Sequence, residues 1–268
     1  MTKAALARTD GLQTVTSDDP VVQVRDICKK YGNLEALRGI NLEFQRGKLT
    51  TLLGPSGCGK TTLLKIIAGL VPATTGEIRV NGRAVTGPGP ERAFVFQDFA
   101  LMPWATVLRN VGFGLELRGV ESVERNRIAC RYIEQVGLAG FEDKYPHELS
   151  GGMRQRVGIA RAFAVNADVL LLDEPFSAVD EQNRRKFQED LLQLVELEKK
   201  TFIFVTHSIE EAVYVSDRIV LLSPRPGRIS RVIDPSIDRS ASPDEIRRNA
   251  SYLDVVEEIW QGLRQYAE

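Results

Sequence analysis

Residues 50–71 read TTLLGPSGCGKTTLLKIIAGLV: a short apolar run, a glycine-rich turn, then apolar residues at helical spacing. The turn, Gly54 to Thr61, fits GxxxxGK(S/T) at every fixed position, and a strand before it and a helix after it are the context that motif requires. Glycines let successive backbone N–H groups turn inward toward phosphate oxygens, Lys60 supplies a point charge to the outer phosphates, and the Thr61 hydroxyl can ligate Mg²⁺. The helix adds its positive dipole end. Gly54, Pro55, Ser56, Gly57, Cys58, Gly59, Lys60, Thr61 and Thr62 are therefore the candidate phosphate-binding residues. Cys58 stands beside a lysine and a helix N-terminus, which predicts thiolate character and alkylation that bound nucleotide would slow.

Outward from this loop, VVQVRDICKKYG and LRGINLEF alternate well enough for strands, GEIRVNGRAV reads as a hairpin around Asn81–Gly82, and FVFQ reads as another strand. Between about Asp98 and Ala164 the β-branched signal fades, and segments such as ESVERNRIACRYIEQVG are helical, which predicts an inserted helical subdomain over about 98–164. Strand patterns return in DVLLLDEP, TFIFVTH and DRIVLLSP, with the helix EQNRRKFQEDLLQLVELEKK among them, as in a parallel sheet with helices on its faces. After SPRPGRIS the pattern weakens until SPDEIRRNASYLDVVEEIWQGLRQY, which reads as a terminal helical appendage. The expected organisation is a flexible, polar tail over 1–20, a main domain over 21–234, and a C-terminal helical extension over 235–268.

Three further stretches carry chemistry. In VLLLDEP an apolar strand delivers two carboxylates at its C-terminal end, where parallel sheets place their ligands. Strand alternation predicts that Asp173 and Glu174 point to different sides, Asp173 to a Mg²⁺ shell and Glu174 to the attacking water as general base. His207 follows TFIFVT at another strand end, from which its imidazole reaches a terminal phosphate and holds Glu174 in line. Gln97 ends FVFQ, and its amide can reach both metal and water without being a base. LSGGMRQR, residues 149–156, is a second glycine-rich loop that lacks a lysine. Ser150, Gly151 and Gly152 there form either a backbone nest at a helix start or no more than a serine N-cap.

Composition narrows the classes. At 268 residues with 43% apolar content the chain can bury a substantial core. Lysine plus arginine (35) nearly balances aspartate plus glutamate (36), so no global field draws it to nucleic acid. Cys28, Cys58 and Cys130 are too scattered for a disulfide framework. No apolar run approaches the roughly 20 residues of a membrane span. MTKAALARTDGLQTVTSDDP lacks the apolar core of a signal peptide, and a soluble, cytosolic chain is expected.

Taken together, the sequence resembles the ATPase subunit of the ATP-binding cassette (ABC) transporters over nearly everything from Val21 to about Ile233. GPSGCGKTT matches the phosphate loop, Gln97 the Q-loop, LSGGM the signature, VLLLDEP the Walker B strand, SAVD (Ser177 to Asp180) the D-loop and His207 the switch histidine. The resemblance implies an α/β fold with a P-loop NTPase core, a mainly parallel sheet, an N-terminal antiparallel β region and the inserted helical subdomain. It implies ATP and Mg²⁺ as cofactors, with Thr61, Gln97 and Asp173 at the metal, Glu174, His207 and Gln97 in catalysis, and Tyr31 stacked on adenine. It also implies a head-to-tail dimer, in which Ser150, Gly151, Gly152 and Asp180 of one subunit close over the ATP of a second copy. The lysine missing from LSGGM is then supplied by the opposite subunit.

A single short cassette without a coiled-coil insertion, a second cassette or zinc sites looks like the separate ATPase subunit of a bacterial importer. In that family the stretch FALMPWATV contacts the integral membrane permease, through Phe99, Leu101, Met102 and Trp104, on the cytoplasmic face of the inner membrane. A periplasmic or extracellular solute-binding protein is an indirect partner. LMPW and SPRPGRI are similar to importers for nitrate, sulfonates and taurine, while SAVD departs from the usual SALD by a smaller apolar residue. A soluble nucleotide switch without transport is the alternative.

Overall fold

Two long strands, β1 (Pro20–Tyr31) and β2 (Leu34–Gln45), pair antiparallel from Tyr31 opposite Leu34 to Pro20 opposite Gln45. Their inward residues, among them Val22, Val24, Ile27, Ile40 and Phe44, are fully buried. The structure, a computed structural model, describes residues 20–239 and 241–266. The expected tail over 1–20 lies outside the described residues except for Pro20, the first residue of β1.

The chain continues through β3 (Leu49–Leu53), α1 (Lys60–Ile67), β4 (Thr75–Val80), β5 (Arg83–Ala84) and β6 (Arg92–Val95). Asn81 (φ 49°) and Gly82 (φ 73°) make the β4–β5 turn, and two positive φ angles are what a tight hairpin of this hand needs. The helices α2 (Val107–Leu117), α3 (Ser122–Gln135) and α4 (Gly151–Ala164) follow, with a 3₁₀ turn at Pro146–Glu148. Then come β7 (Val169–Asp173), α5 (Glu181–Glu198), β8 (Thr201–Thr206), α6 (Ile209–Val215), β9 (Arg218–Leu222), β10 (Ile229–Ile233), α7 (Pro243–Arg248) and α8 (Ala250–Arg264).

The strands form two sheets, in the orders β2-β1-β4-β5 and β10-β9-β3-β8-β7-β6. Within the second, β9, β3, β8, β7 and β6 run parallel, and β10 closes one edge antiparallel to β9. Alternation along the parallel strands splits the core. Leu52, Val169, Leu171, Ile203 and Val205 join the cluster shared with the antiparallel sheet and α1. Leu53, Leu170, Leu172, Phe202 and Phe204 join the larger cluster that includes residues of α2 to α6. Burial on both faces is why these strands read as unbroken apolar runs.

Three readings change, and one further element appears. FVFQ is a strand only to Val95, so Gln97 stands two residues beyond its end. The stretch ISRVI is β10, missed because an edge strand with Ser230, Arg231 and Val232 turned partly outward keeps little alternation. SIEEAVYV holds α6, whose last four residues are all buried, leaving no polar face to mark a helix. The C-terminal segment is no appendage: Asn249 caps α8, and Ile246, Tyr252 and Ile259 are buried in the larger core with Val213 and Leu221. Tyr252 also donates its hydroxyl to the Glu210 carbonyl (3.2 Å).

Ile259, with no accessible surface, provides the test. Ile259→Ala should destabilise the protein by about 2–5 kcal/mol in denaturant titration. An independent appendage would leave the midpoint unmoved.

Candidate nucleotide site

The parallel sheet delivers four loops to one edge. The glycine-rich loop follows β3, Asp173 ends β7 with Glu174 next, His207 follows β8, and Gln97 lies beyond β6. A cleft of about 410 Å³ opens there, lined by Tyr31, Ser56, Lys60, Thr61, Glu174 and Arg225 among others.

Gly59 caps α1 with φ 107° and no side-chain hydrogen bond. The first-turn N–H groups of a helix lack intrahelical partners, so here they are left for an anion. Glycine is favoured there by its left-handed φ, and a Cβ would stand 3.1 Å from the Ala36 carbonyl oxygen and 2.6 Å from Leu37 Cδ2. Lys60 is buried and donates from Nζ to the carbonyls of Gly54 (2.7 Å) and Pro55 (3.1 Å). Thr61 Oγ1 donates to Asp173 Oδ1 at 2.8 Å. Asp173 is 3% exposed, and burial above all pushes its carboxyl upward, against the Thr61 hydrogen bond.

Glu174 leaves the strand in a left-handed conformation (φ 48°), with its N–H on the Val205 carbonyl (3.0 Å). Such backbone costs about 1–3 kcal/mol for a residue other than glycine. Glu174 Oε2 faces His207 Nδ1 at 3.4 Å and accepts from Gln97 Nε2 at 3.4 Å, so two expected residues converge on one oxygen of a third.

Tyr31 is 47% exposed at the cleft, and Lys29 Nζ sits 4.8 Å from its ring centroid. Lys29 is held in turn by the Pro72 carbonyl (2.7 Å). A cation backing one ring face leaves the other for a base. Lys29 and Arg225 were not legible as site residues. The only sequence signal for Arg225 is its place between two prolines in SPRPG, which marks a turn but not where the turn lies.

Other expectations are placed elsewhere. Cys58 is corrected: its thiol is buried in the core cluster and burial pushes its pKa up, so it is neither an accessible thiolate nor a side chain lining the cleft. Ser150, Gly151, Gly152 and Asp180 do not line the cleft of their own chain. Ser150 Oγ accepts from Met153 N–H (3.2 Å) as the cap of α4, and a Cβ at Gly151 would stand 3.1 Å from the Ala178 carbonyl. The signature stretch therefore abuts SAVD. Asp180 caps α5, accepting from Asn183 N–H (3.0 Å).

Residues 99–106 form no helix. Phe99 (φ 62°) and Ala100 (φ 44°) are left-handed, and Arg161 donates to both carbonyls (2.8 and 2.7 Å). The buried Asn110 accepts from Met102 N–H (2.8 Å) and donates to the Ala105 carbonyl (3.0 Å). Held this way, the loop presents Trp104 at 74% exposure, while Leu101 packs against the core.

A family model described as ABC transporter matches residues 37–177. The chain is 54% identical over 222 residues to an uncharacterized ABC transporter ATP-binding protein of Methanocaldococcus jannaschii, covering 81% of this chain and 83% of that one. It is 50% identical over 209 residues to the taurine import ATP-binding protein TauB of Escherichia coli, covering 78% and 82%. A solved dimeric ATP-binding cassette in a post-hydrolysis state, bound to ADP and Pi, superposes with TM-score 0.72 at 32% identity, covering 80% of this chain and 98% of that one.

The buried carboxylate gives a stability prediction. Raised by burial in the native state, the Asp173 pKa makes ionisation a cost to folding relative to an unfolded carboxyl near ~3.9. That cost is absent below the unfolded value and grows as pH rises through the native one. Asp173→Asn should therefore raise the melting temperature of the ligand-free protein at pH 7, with the gain shrinking as pH falls toward about 4. A variant that melts lower at pH 7 would contradict it.

Proposed function

Because the chain belongs to the ABC transporter family, we propose that it binds and hydrolyses ATP as the ATPase subunit of an importer for a small organic or inorganic anion such as nitrate, a sulfonate or taurine. The observation that carries the reading is the meeting of Gln97 and His207 on Glu174 Oε2, beside Lys60 and the Thr61–Asp173 pair. In this reading Tyr31 stacks on adenine, and free backbone N–H groups of the loop 54–62, which exclude Pro55 (no N–H) and Cys58 (its N–H donates to the Pro55 carbonyl), hold the outer phosphates. Lys60 exchanges its two loop carbonyls for phosphate oxygens. Glu174 takes a proton from water as the water oxygen attacks the γ-phosphorus and the bond to ADP breaks. His207 holds Glu174 and the terminal phosphate in line, and Gln97 orients the water.

Mg²⁺, when bound, would neutralise phosphate charge. Thr61 and Asp173 would hold it, with the Gln97 carbonyl as a further oxygen donor. Such a set suits a hard cation that takes one or two carboxylates and completes its shell with phosphate and water. Among the described residues no group of three or more His, Cys, Asp or Glu could cage a cation alone.

Ser150, Gly151, Gly152 and Asp180 lie away from their own cleft, so we assign them to the nucleotide of a second copy, head to tail; the dimeric solved cassette supports this. Phe99 to Trp104 would dock on a membrane permease, with a solute-binding protein as indirect partner. Among the described residues no helix is long and apolar enough to cross a membrane, and peripheral attachment to the cytoplasmic face would follow from that docking. The taurine import relative supports import and an anionic or zwitterionic solute. The proposed division is the cassette (21–234), with its helical part near 98–164, and the extension (235–268) packed against it.

Glu174→Gln should keep ATP binding, lower turnover at least ~100-fold as expected for loss of a general base, and accumulate as an ATP-bound dimer in size-exclusion chromatography with ATP and Mg²⁺. Near-normal turnover would remove the assignment of base. Trp104→Ser should leave ATP hydrolysis by the isolated subunit intact while weakening co-purification with a polytopic membrane partner on the order of ten-fold, as for a buried aromatic anchor. Undiminished recovery of that partner would remove the docking role.

A further inference from the structure

The turn between β9 and β10, residues 223–227, is tied down on several sides. Ser223 N–H donates to the Arg228 carbonyl (2.9 Å), and Ser223 Oγ accepts from Arg228 N–H (3.1 Å). Gly227 N–H donates to the Ala36 carbonyl and Arg38 N–H to the Gly227 carbonyl, each at 3.0 Å, which stitches the turn to β2. Gly227 also rests on the phosphate loop so closely that a Cβ there would stand 2.1 Å from the Cys58 carbonyl oxygen. Arg225, between two prolines, is thus carried over the loop by a fixed support.

Its guanidinium lies at the cleft itself. Nε donates to the Gly57 carbonyl at 3.2 Å, and Nη2 lies 2.9 Å from where a Cβ at Gly57 would be. Arg225 lines the same cleft as Lys60 and Thr61 and is exposed. A guanidinium has five N–H donors in a fixed fork. Only Nε is engaged by Gly57, and among the described residues no carboxylate pairs with Arg225. A surface arginine normally points its spare donors at water or an acid. This one is aimed at a loop whose own N–H groups already favour an anion.

We propose that Arg225 is a second cationic contact to the nucleotide's polyphosphate, delivered from the β9–β10 turn. The proposal rests on the nucleotide reading of the cleft and adds to it a residue outside the glycine-rich loop. Charge and geometry divide the work: Lys60 is a buried point charge at the loop's centre, whereas Arg225 offers a planar fork at its lip, suited to phosphate oxygens. Stacking on the base is the weaker reading, because the anchor of the guanidinium is the phosphate loop and not Tyr31 or Leu34.

Isothermal titration of the full chain with MgADP, alongside NMR titration with adenosine as a phosphate-free probe, tests this. Arg225→Ala should raise the dissociation constant for MgADP roughly ten-fold, the size expected of one exposed charge-assisted contact, and leave adenosine binding unchanged. Arg225→Lys should recover part of the loss, since charge survives without the fork. Arg225→Gln keeps a donor for the Gly57 carbonyl without the charge, and serves if the alanine variant melts early. Unchanged MgADP affinity in the alanine and glutamine variants overturns the proposal, as does an equal loss for MgADP and adenosine, which would mark a base contact or a scaffold. A wild-type chain that fails to bind MgADP would instead overturn the nucleotide reading itself.

Discussion

A lysine ammonium almost wholly removed from water needs acceptors, and Lys60 finds them in the carbonyls of Gly54 (2.7 Å) and Pro55 (3.1 Å), so the loop between β3 and α1 must curl around its own side chain. That curl forces Gly57 and Gly59 into left-handed backbone and brings Gly59 against Leu37 of β2. Removing an ion from water costs several kcal/mol unless fully compensated. Two carbonyls offset part of this in the ligand-free chain, and phosphate oxygens would replace them with charged acceptors. The constraint spreads outward. β2 must sit where Leu37 meets the loop, and the turn at Gly227 must pass within van der Waals contact of Cys58.

The same edge gathers its other groups because parallel strands all end on one side. β6, β7, β8 and β3 are neighbours, so the residues after their C-termini are neighbours too, whatever their distance along the chain. Burial of the sheet on both faces fixes the strands in register, and only their ends remain free to carry polar groups. There the native state accepts local costs: a buried carboxylate at Asp173 and a left-handed glutamate at Glu174. Stability is supplied elsewhere, by the two core clusters, and the site draws on it.

What the sequence made legible follows from locality. The glycine-rich loop, the Asn81–Gly82 hairpin, the buried strands and the cap at Ser150 all depend on residues a few positions apart. The parallel sheet followed from apolar runs alternating with helices. The readings that failed depend on tertiary context. α6 is buried nearly all round and so shows no periodicity, β10 is an edge strand with polar residues outward, and α8 reads as free until its partner α6 is known. Cys58 failed for a related reason: motif position predicted a reactive thiol, but the folded loop packs that side chain in the core, where desolvation outweighs the nearby lysine. Arg225 was invisible because only the fold brings residue 225 to residue 57.

LSGGM is the hardest case, since its local role is already fulfilled. The Ser150 hydroxyl accepts from Met153 N–H, which is all that a helix cap requires. A hydroxyl, however, is one donor as well as an acceptor, and capping uses only the acceptor side. The Ser150 proton is left to be given to an oxygen outside the helix, and the start of α4 adds its positive end behind it. Gly151 is favoured here for another reason than a tight turn: a Cβ there would stand 3.1 Å from the Ala178 carbonyl oxygen, and Gly152 lies beside Val179, so the signature stretch and the SAVD segment abut. The capped serine and two glycines make a surface with no lysine of its own. In the proposed head-to-tail dimer that surface would meet a phosphate that a second phosphate loop already holds.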